Sequence, residues 1–117
     1  MKIEMGHIEI FVKNPLIAKD FYIDVLGFET EEIQQEKFVW LKKGSSIILL
    51  RPGMPENPET YQEANIALVI YTDDLHKAKE HFISKGVSFK GTDGSENCLT
   101  LTDNDGNWFQ LVDKNEH

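Results

Sequence analysis

Cysteine is almost absent from this sequence, and so is any excess of positive charge. The single cysteine, Cys98, cannot form a disulfide within the chain, which favours a cytoplasmic location. Lysine and arginine total 12 against 20 aspartates and glutamates, so the net charge at pH 7 is −8. A nucleic-acid backbone requires a basic surface, so this balance argues against a nucleic-acid partner. It permits a cationic ligand, or it serves only to keep the protein in solution.

Several other common features are missing. No apolar run approaches the length that crosses a membrane, and the first residues lack the apolar core of a secretion signal, so we expect no membrane partner. The sequence has no glycine-rich phosphate loop, no paired-cysteine zinc motif and no nucleophile elbow. These absences exclude the nucleotide, zinc-finger and hydrolase chemistry that such motifs carry.

The stretch from Gly6 to Phe28 predicts a strand followed by a capped helix. Alternation from His7 to Val12 places β-branched apolar side chains on one face of the strand. Asn14 then offers an N-cap and Pro15 suits the first helical position, so we expect a helix near residues 15–26. The apolar stripe of this helix is predicted to comprise Ile17, Phe21 and Val25.

A second copy of this plan begins near Asn65. Residues 65–71 predict a strand in which Ile66, Leu68 and Ile70 face inward, in phase with the first copy. Thr72 or Asp73 is expected to cap a second helix near residues 74–85. The remaining segments complete the pattern.

Six further strands, two hairpin turns and a linker follow from alternation and turn residues, and the first of these turns is at residues 43–45. The proline-containing segment 52–63 is interpreted as a linker between two modules, or alternatively as a lid. Asp103 to Gly106 predicts a hairpin turn with type I′ chemistry at its end. The fold class is therefore α+β, with two tandem βαβββ modules at about residues 1–51 and 64–113 in a single domain, 1–117. Its other predicted strands are 28–33, 38–42, 47–51, 87–89, 97–102 and 108–112.

Three phrases in the sequence are informative as whole motifs: HIEIFVKNPLIAKDFYIDVLGF, NIALVIYTDDLHKAKEHFISKG and LTDNDGNWFQLVD. They resemble the vicinal-oxygen-chelate superfamily, which includes glyoxalase I, bleomycin-resistance proteins, fosfomycin-resistance enzymes and extradiol dioxygenases. The resemblance implies a curved mixed sheet wrapped around a cleft, with the helices outside, a small-molecule ligand and a homodimer. One fold of this kind hosts many reactions, so the resemblance implies a fold more specifically than a function.

Strand phase indicates which side chains would face the implied cleft. If Ile8, Ile10 and Val12 face the helices, the opposite faces of the strands supply an aromatic set with a few polar groups, as small-molecule pockets do. The alternative is that these aromatic side chains are core or interface packing. The predicted ligand-binding residues are His7, Glu9, Phe11, Phe38, Trp40, Leu49, Arg51, Asn65, Tyr71, Trp108 and Gln110.

The resemblance also locates the metal-ligand positions of metal-dependent members. They correspond to His7, Leu49, Asn65 and Gln110. Leu49 has no donor atom, and amide oxygens are weaker ligands for a transition metal than imidazole, thiolate or carboxylate. We therefore expect no metal cofactor, with a divalent metal on His7 and Gln110 as the alternative.

His7 and Glu9 are the candidates for catalysis, since two residues on one strand face could act as an acid–base pair. The alternative is that Glu9 is neutralised by Lys42 or Arg51. Three functions follow. The first is a metal-free protein that binds and sequesters an aromatic or cationic compound. The second is a metal-dependent lyase, isomerase or dioxygenase with an atypical site, and the third is a metal-free acid–base enzyme.

Overall fold

The computed structural model describes residues 1–116, which form two compact units that divide between Pro55 and Glu56. The division lies within the proline-containing segment 52–63. Each unit contains one helix and one sheet.

The first unit is a four-stranded mixed sheet with one helix. Its sheet has the order β1-β4-β3-β2, in which β1 and β4 are parallel and the other neighbours antiparallel. In chain order the elements are β1 (Ile8–Val12), α1 (Pro15–Asp24), β2 (Glu29–Gln34), β3 (Phe38–Lys43) and β4 (Ser46–Pro52).

The second unit repeats the plan with one strand fewer. Its sheet has the order β5-β7-β6, again with the first strand parallel to its neighbour and the other pair antiparallel. Short 3-10 turns occupy Tyr61–Glu63 and Lys114–Glu116. Two helices with two mixed sheets confirm the α+β fold class. The main elements are β5 (Leu68–Thr72), α2 (Leu75–Ser84), β6 (Cys98–Thr102) and β7 (Trp108–Asp113).

The strand predicted at residues 87–89 is wrong. The backbone N–H of Val87 is bound by the carbonyl of Phe82 at the end of α2, which removes it from strand pairing. Residues 90–93 then run irregularly beside β6, because Gly91 and Gly94 have φ of 98° and 117°, far from extended backbone. Backbone hydrogen bonds with Thr100 hold this segment in place.

Helix α1 begins as predicted. The side chain of Asn14 accepts a hydrogen bond from the N–H of Leu16 at 3.0 Å, and Gly27 reverses the chain with φ of 78°. The predicted stripe is partly wrong, because Ile17 is 64% exposed. The buried face is centred one residue further along and consists of Pro15, Ala18, Phe21, Tyr22, Val25 and Leu26.

The second module departs from its prediction at three places. Strand β5 starts at Leu68, so Ile66 lies outside it and is 78% exposed rather than inward. The cap of α2 is Asp74, whose extended backbone lets its side chain accept from the N–H of Lys77 at 3.0 Å. The β6–β7 hairpin is present, but only Gly106 has positive φ there, and a type I′ turn needs two such residues.

Both sheets bury the side that carries aliphatic residues. Val12, Val39, Leu41 and Leu50 of the first sheet have no exposed surface. In the second sheet, Phe109 and Leu111 are each 1% exposed. Within residues 1–116, neither helix is long and apolar enough to cross a membrane.

Candidate functional site

The other face of the first sheet, here named the first-sheet face, collects most of the predicted ligand-binding residues. Side chains at paired positions project to the same side, so strand register defines rows across the sheet. One row runs from β2 to β1 through Glu32, Trp40, Leu49 and Glu9. The adjacent row contains Gln34, Phe38, Arg51 and Phe11. His7 lies immediately before β1 and contacts the same face through Glu9 and Trp40.

A carboxylate with two donors lies at the centre of this face. Glu9 accepts a hydrogen bond from Arg51 Nη1 through Oε1 at 2.8 Å, and its Oε2 lies 2.9 Å from His7 Nε2. Glu9 therefore contacts Arg51, one of its two predicted partners, and also His7, while a catalytic role for the His7–Glu9 pair stays a prediction. Lys42 instead pairs with Glu31 at 3.4 Å.

These partners fix the charge state of Glu9. Its hydrogen bonds with Arg51 and His7 lower the pKa of the carboxyl below its usual range. Their effect is larger than that of burial, which acts in the opposite direction. Glu9 is therefore ionised at neutral pH, and an ionised carboxylate can only accept hydrogen bonds. His7 Nε2 must then be the donor of the bond between them.

Aromatic rings flank this charged centre. The edge of the Trp40 indole meets His7 with ring centroids 4.6 Å apart, and its N–H donates to Gln34 Oε1 at 3.1 Å. The Arg51 guanidinium lies 5.5 Å from the centroid of Phe38. Phe11 is 48% exposed, so apolar surface is open beside the polar groups. The face thus combines an ordered imidazole with accessible aromatic surface.

On the corresponding face of the second sheet, residues of the same unit cover the side chains of β6 and β7, whereas Val69 and Tyr71 of β5 stay exposed. Trp108 is buried, its indole N–H donates to the carbonyl of Pro58 at 2.9 Å, and the ring of Tyr61 meets it edge-on at 5.9 Å. The segment predicted as a linker, or alternatively a lid, thus covers Trp108. Among the other predicted residues of this module, Asn65 and Tyr71 are exposed.

Gln110 is also buried, and its polar partner was not predicted. Its amide nitrogen donates to Oδ2 of Asp93 at 2.5 Å, while Oδ1 of Asp93 accepts from the N–H of Ser95 at 3.1 Å. Asp93 lies in the irregular segment GTDGSEN. This segment has no alternation of apolar and polar residues and no helix cap, so the sequence gives no sign that the Asp93 side chain points inward. A contact between residues 17 positions apart in chain order, one of them in a loop, leaves no local signal.

Cys98 lies on the same face as Gln110 and is buried. Burial, reinforced by the negative charge of Asp93, raises the pKa of its thiol. The same two causes raise the pKa of Tyr61. Since the thiolate is the reactive form, Cys98 is a poor nucleophile at neutral pH and behaves as a small buried side chain.

The residues at the four positions that the resemblance implies for a metal do not form the usual donor set. Leu49 contributes no donor and lies between Glu9 and Trp40 in the sheet. His7 Nε2 carries a proton toward Glu9, and the amide nitrogen of Gln110 is directed at Asp93. Within the described residues, no three histidine, cysteine, aspartate or glutamate side chains are grouped so that they could hold a metal ion.

Comparison with known proteins identifies a family model and several solved structures of the same fold. Residues 4–111 match the model of the Glyoxalase/Bleomycin resistance protein/Dioxygenase superfamily. No curated protein sequence matches significantly.

The solved structures are similar over nearly the whole chain at low sequence identity. The fosfomycin resistance protein FosX of Listeria monocytogenes is 20% identical to this chain, with a TM-score of 0.75. The match covers 97% of this chain and 92% of the FosX chain. Lactoylglutathione lyase of Agrobacterium tumefaciens is 18% identical with a TM-score of 0.69, covering 97% and 96%. An integron cassette protein of V. cholerae is 23% identical with a TM-score of 0.71, covering 95% of each chain. At these identities the likeness shows the fold alone.

Proposed function

Because the chain belongs to the Glyoxalase/Bleomycin resistance protein/Dioxygenase superfamily, we propose that it binds and sequesters a small aromatic molecule without a metal. The observation that carries this proposal is Leu49, an aliphatic side chain at a metal-ligand position, in the same row as Glu9 and Trp40. Leu49 has no donor atom, and Asn65 and Gln110 at two of the other positions offer only amide oxygens. A transition metal at these positions would lack the donors that it prefers.

The local charges favour an aromatic over a cationic ligand. Both oxygens of Glu9 already accept hydrogen bonds, and the positive charge of Arg51 offsets its negative charge. The net charge of −8 therefore does not translate into a free anion at the centre of the first-sheet face. The exposed ring of Phe11 and the half-buried rings of Phe38 and Trp40 supply the apolar surface for a planar ligand.

Metal analysis and chelation test this proposal directly. We expect protein purified without chelator to carry no near-stoichiometric nickel, zinc, manganese or iron. An aromatic probe, 4-methylanisole, should bind equally well with and without EDTA, as measured by NMR titration. The variant His7→Ala should weaken binding of this probe by about 1 kcal/mol or less, since the ether offers no hydrogen to the imidazole.

The opposite result would support a different function. FosX and lactoylglutathione lyase share this fold. A tightly bound metal that disappears in His7→Ala, together with loss of all probe binding on chelation, would favour a metal-dependent lyase, isomerase or dioxygenase. A zinc-binding protein carried through the same purification serves as the control for metal loss during handling.

Two further parts of the proposal are the assembly and the location of the protein. We propose a homodimer, since apolar side chains on both units are open to solvent and monomers rarely expose large apolar patches. The exposed residues on strands β1, β4 and β5 are Ile8, Phe11, Ile47, Val69 and Tyr71. A cytoplasmic location rests only on the single cysteine.

Sedimentation equilibrium tests the assembly. We expect a mass twice that of the 13.4 kDa chain, which declines toward the monomer only on strong dilution. Charged substitutions at two exposed apolar positions, Ile8→Glu and Tyr71→Glu, should each shift the equilibrium toward monomer if their strands lie in the interface. A mass near 13.4 kDa at every concentration would refute the dimer.

A further inference from the structure

The first-sheet face contains one polar atom whose role neither the fold nor the binding proposal assigns, Nδ1 of His7. The other ring nitrogen, Nε2, lies 2.9 Å from the Glu9 carboxylate. Within residues 1–116, the structure shows no hydrogen-bond partner for Nδ1. One third of the side-chain surface of His7 is open to solvent. Among the described residues, therefore, no side chain or backbone group competes with a ligand for this nitrogen.

The bond to Glu9 determines which kind of partner Nδ1 requires. Glu9 also accepts from Arg51 at 2.8 Å, and a carboxylate held by a guanidinium has no proton to give. The proton of the His7–Glu9 bond therefore sits on Nε2. In a neutral imidazole the other nitrogen is then an acceptor with a free lone pair.

Two contacts also fix the orientation of the ring. Glu9 holds the Nε2 edge, and the Trp40 ring lies 4.6 Å away at an interplanar angle of 61°. An acceptor that is already oriented loses little conformational freedom when a ligand binds. Exposed apolar surface on Phe11 and Ile47 lies on the same face, where an aromatic ring can pack.

Together these contacts specify the chemistry of the ligand. We propose that the first-sheet face binds a neutral aromatic compound carrying a hydroxyl group, which donates its hydrogen to His7 Nδ1, with Glu9 and Arg51 as positioning residues that hold the tautomer. This inference rests on the proposed binding function and names the ligand class for the same site. No covalent step is involved, because the hydroxyl keeps its proton in the complex.

A matched pair of probes tests the inference with the chain of residues 1–117. 4-Methylphenol carries the hydroxyl, and 4-methylanisole has the same ring with the hydrogen replaced by a methyl group. The titration is carried out at about pH 8, where a phenol is still protonated. NMR titration should show roughly tenfold tighter binding of the phenol to the wild-type chain, the ratio expected for one hydrogen bond.

Two variants separate the hydrogen bond from the ring contacts. His7→Phe keeps a ring beside Trp40 but has no acceptor, so it should bind both probes equally. Glu9→Gln offers a donor to Nε2 and should move the proton of His7 to Nδ1, which turns that atom into a donor. Its preference for the phenol should disappear, and ¹⁵N NMR of His7 should change from the Nε2–H tautomer to the Nδ1–H tautomer.

The outcomes distinguish this inference from the proposed function. Equal binding of the two probes to the wild-type chain overturns the hydroxyl preference and leaves aromatic binding in place. An Nδ1–H tautomer in the wild-type chain overturns the positioning role of Glu9. Binding of neither probe overturns aromatic binding itself, and the hydroxyl preference with it.

Discussion

Replacing Asp103 with alanine is expected to lower the free energy of unfolding by about 2–4 kcal/mol. Oδ1 of this buried carboxylate accepts from the N–H groups of Asp105 and Asn107, each at 2.9 Å. Its Oδ2 accepts from the side-chain amide of Asn107 at 2.9 Å. Alanine would leave several donors of the β6–β7 hairpin without this acceptor, and a buried donor without a partner loses its hydration as well as its bond. Urea unfolding followed by circular dichroism measures the change.

Two controls make this result specific. Asp103→Asn keeps one acceptor oxygen but places an amide nitrogen near the Asn107 amide, so we expect a smaller loss of about 1–2 kcal/mol. Asp20→Ala removes an exposed aspartate paired only with Lys19, and the change should stay within about 0.5 kcal/mol. A loss in Asp103→Ala no larger than in Asp20→Ala would show that the hairpin does not depend on this carboxylate.

Replacing Trp40 with alanine is expected to weaken aromatic ligand binding by about 2 kcal/mol, or roughly thirtyfold. The ring occupies the centre of the first-sheet face and contacts His7, and its N–H is held by Gln34. Its removal takes away an indole ring from this face and one of the two contacts that orient the imidazole. NMR titration with 4-methylphenol measures the loss.

Trp108 supplies the matched control for this substitution. It was also predicted to bind the ligand, yet it lies beneath Pro58 and Tyr61 within its own unit. We therefore expect Trp108→Phe to lower stability by about 1 kcal/mol through the lost hydrogen bond, and to leave affinity close to wild type. Trp40→Phe should weaken binding without lowering stability in the same way. Equal losses of affinity in the two phenylalanine variants would show that both rings contact the ligand.

The two modules differ in a way that explains why only one of them presents an open polar face. In the first, β2 completes a four-stranded sheet, and its paired rows leave Glu9, Trp40 and Arg51 accessible at least in part. In the second, the irregular segment that replaces the fourth strand brings Asp93 onto Gln110. A chain with positive φ at two glycines cannot continue a strand, and here it covers polar side chains instead.

Local signals in the sequence were sufficient for most of the helices and strands and for the side that the first sheet buries, but not for the strand predicted at 87–89 or for the inward position of Ile66. Asn14 and Pro15 determine where α1 begins, because a cap and a fixed φ act within one turn of the helix. Alternation in β1, β3 and β4 determines which face of the first sheet is buried, because side chains change sides at every residue. His7, Glu9 and Trp40 could therefore be placed on one face from the sequence alone.

Only the tertiary structure decided how those side chains are paired. Glu9 and Arg51 are 42 positions apart, and their bond depends on the parallel register of β1 and β4, which no local pattern encodes. The covering of Trp108 by Pro58, and of Gln110 by Asp93, depends on loops whose paths are set by glycine dihedrals and long-range contacts. The sequence by itself determined the plan of two modules and the buried face of the first sheet. The tautomer of His7 was decided by packing, because it follows from a carboxylate and a guanidinium that meet only in the folded chain.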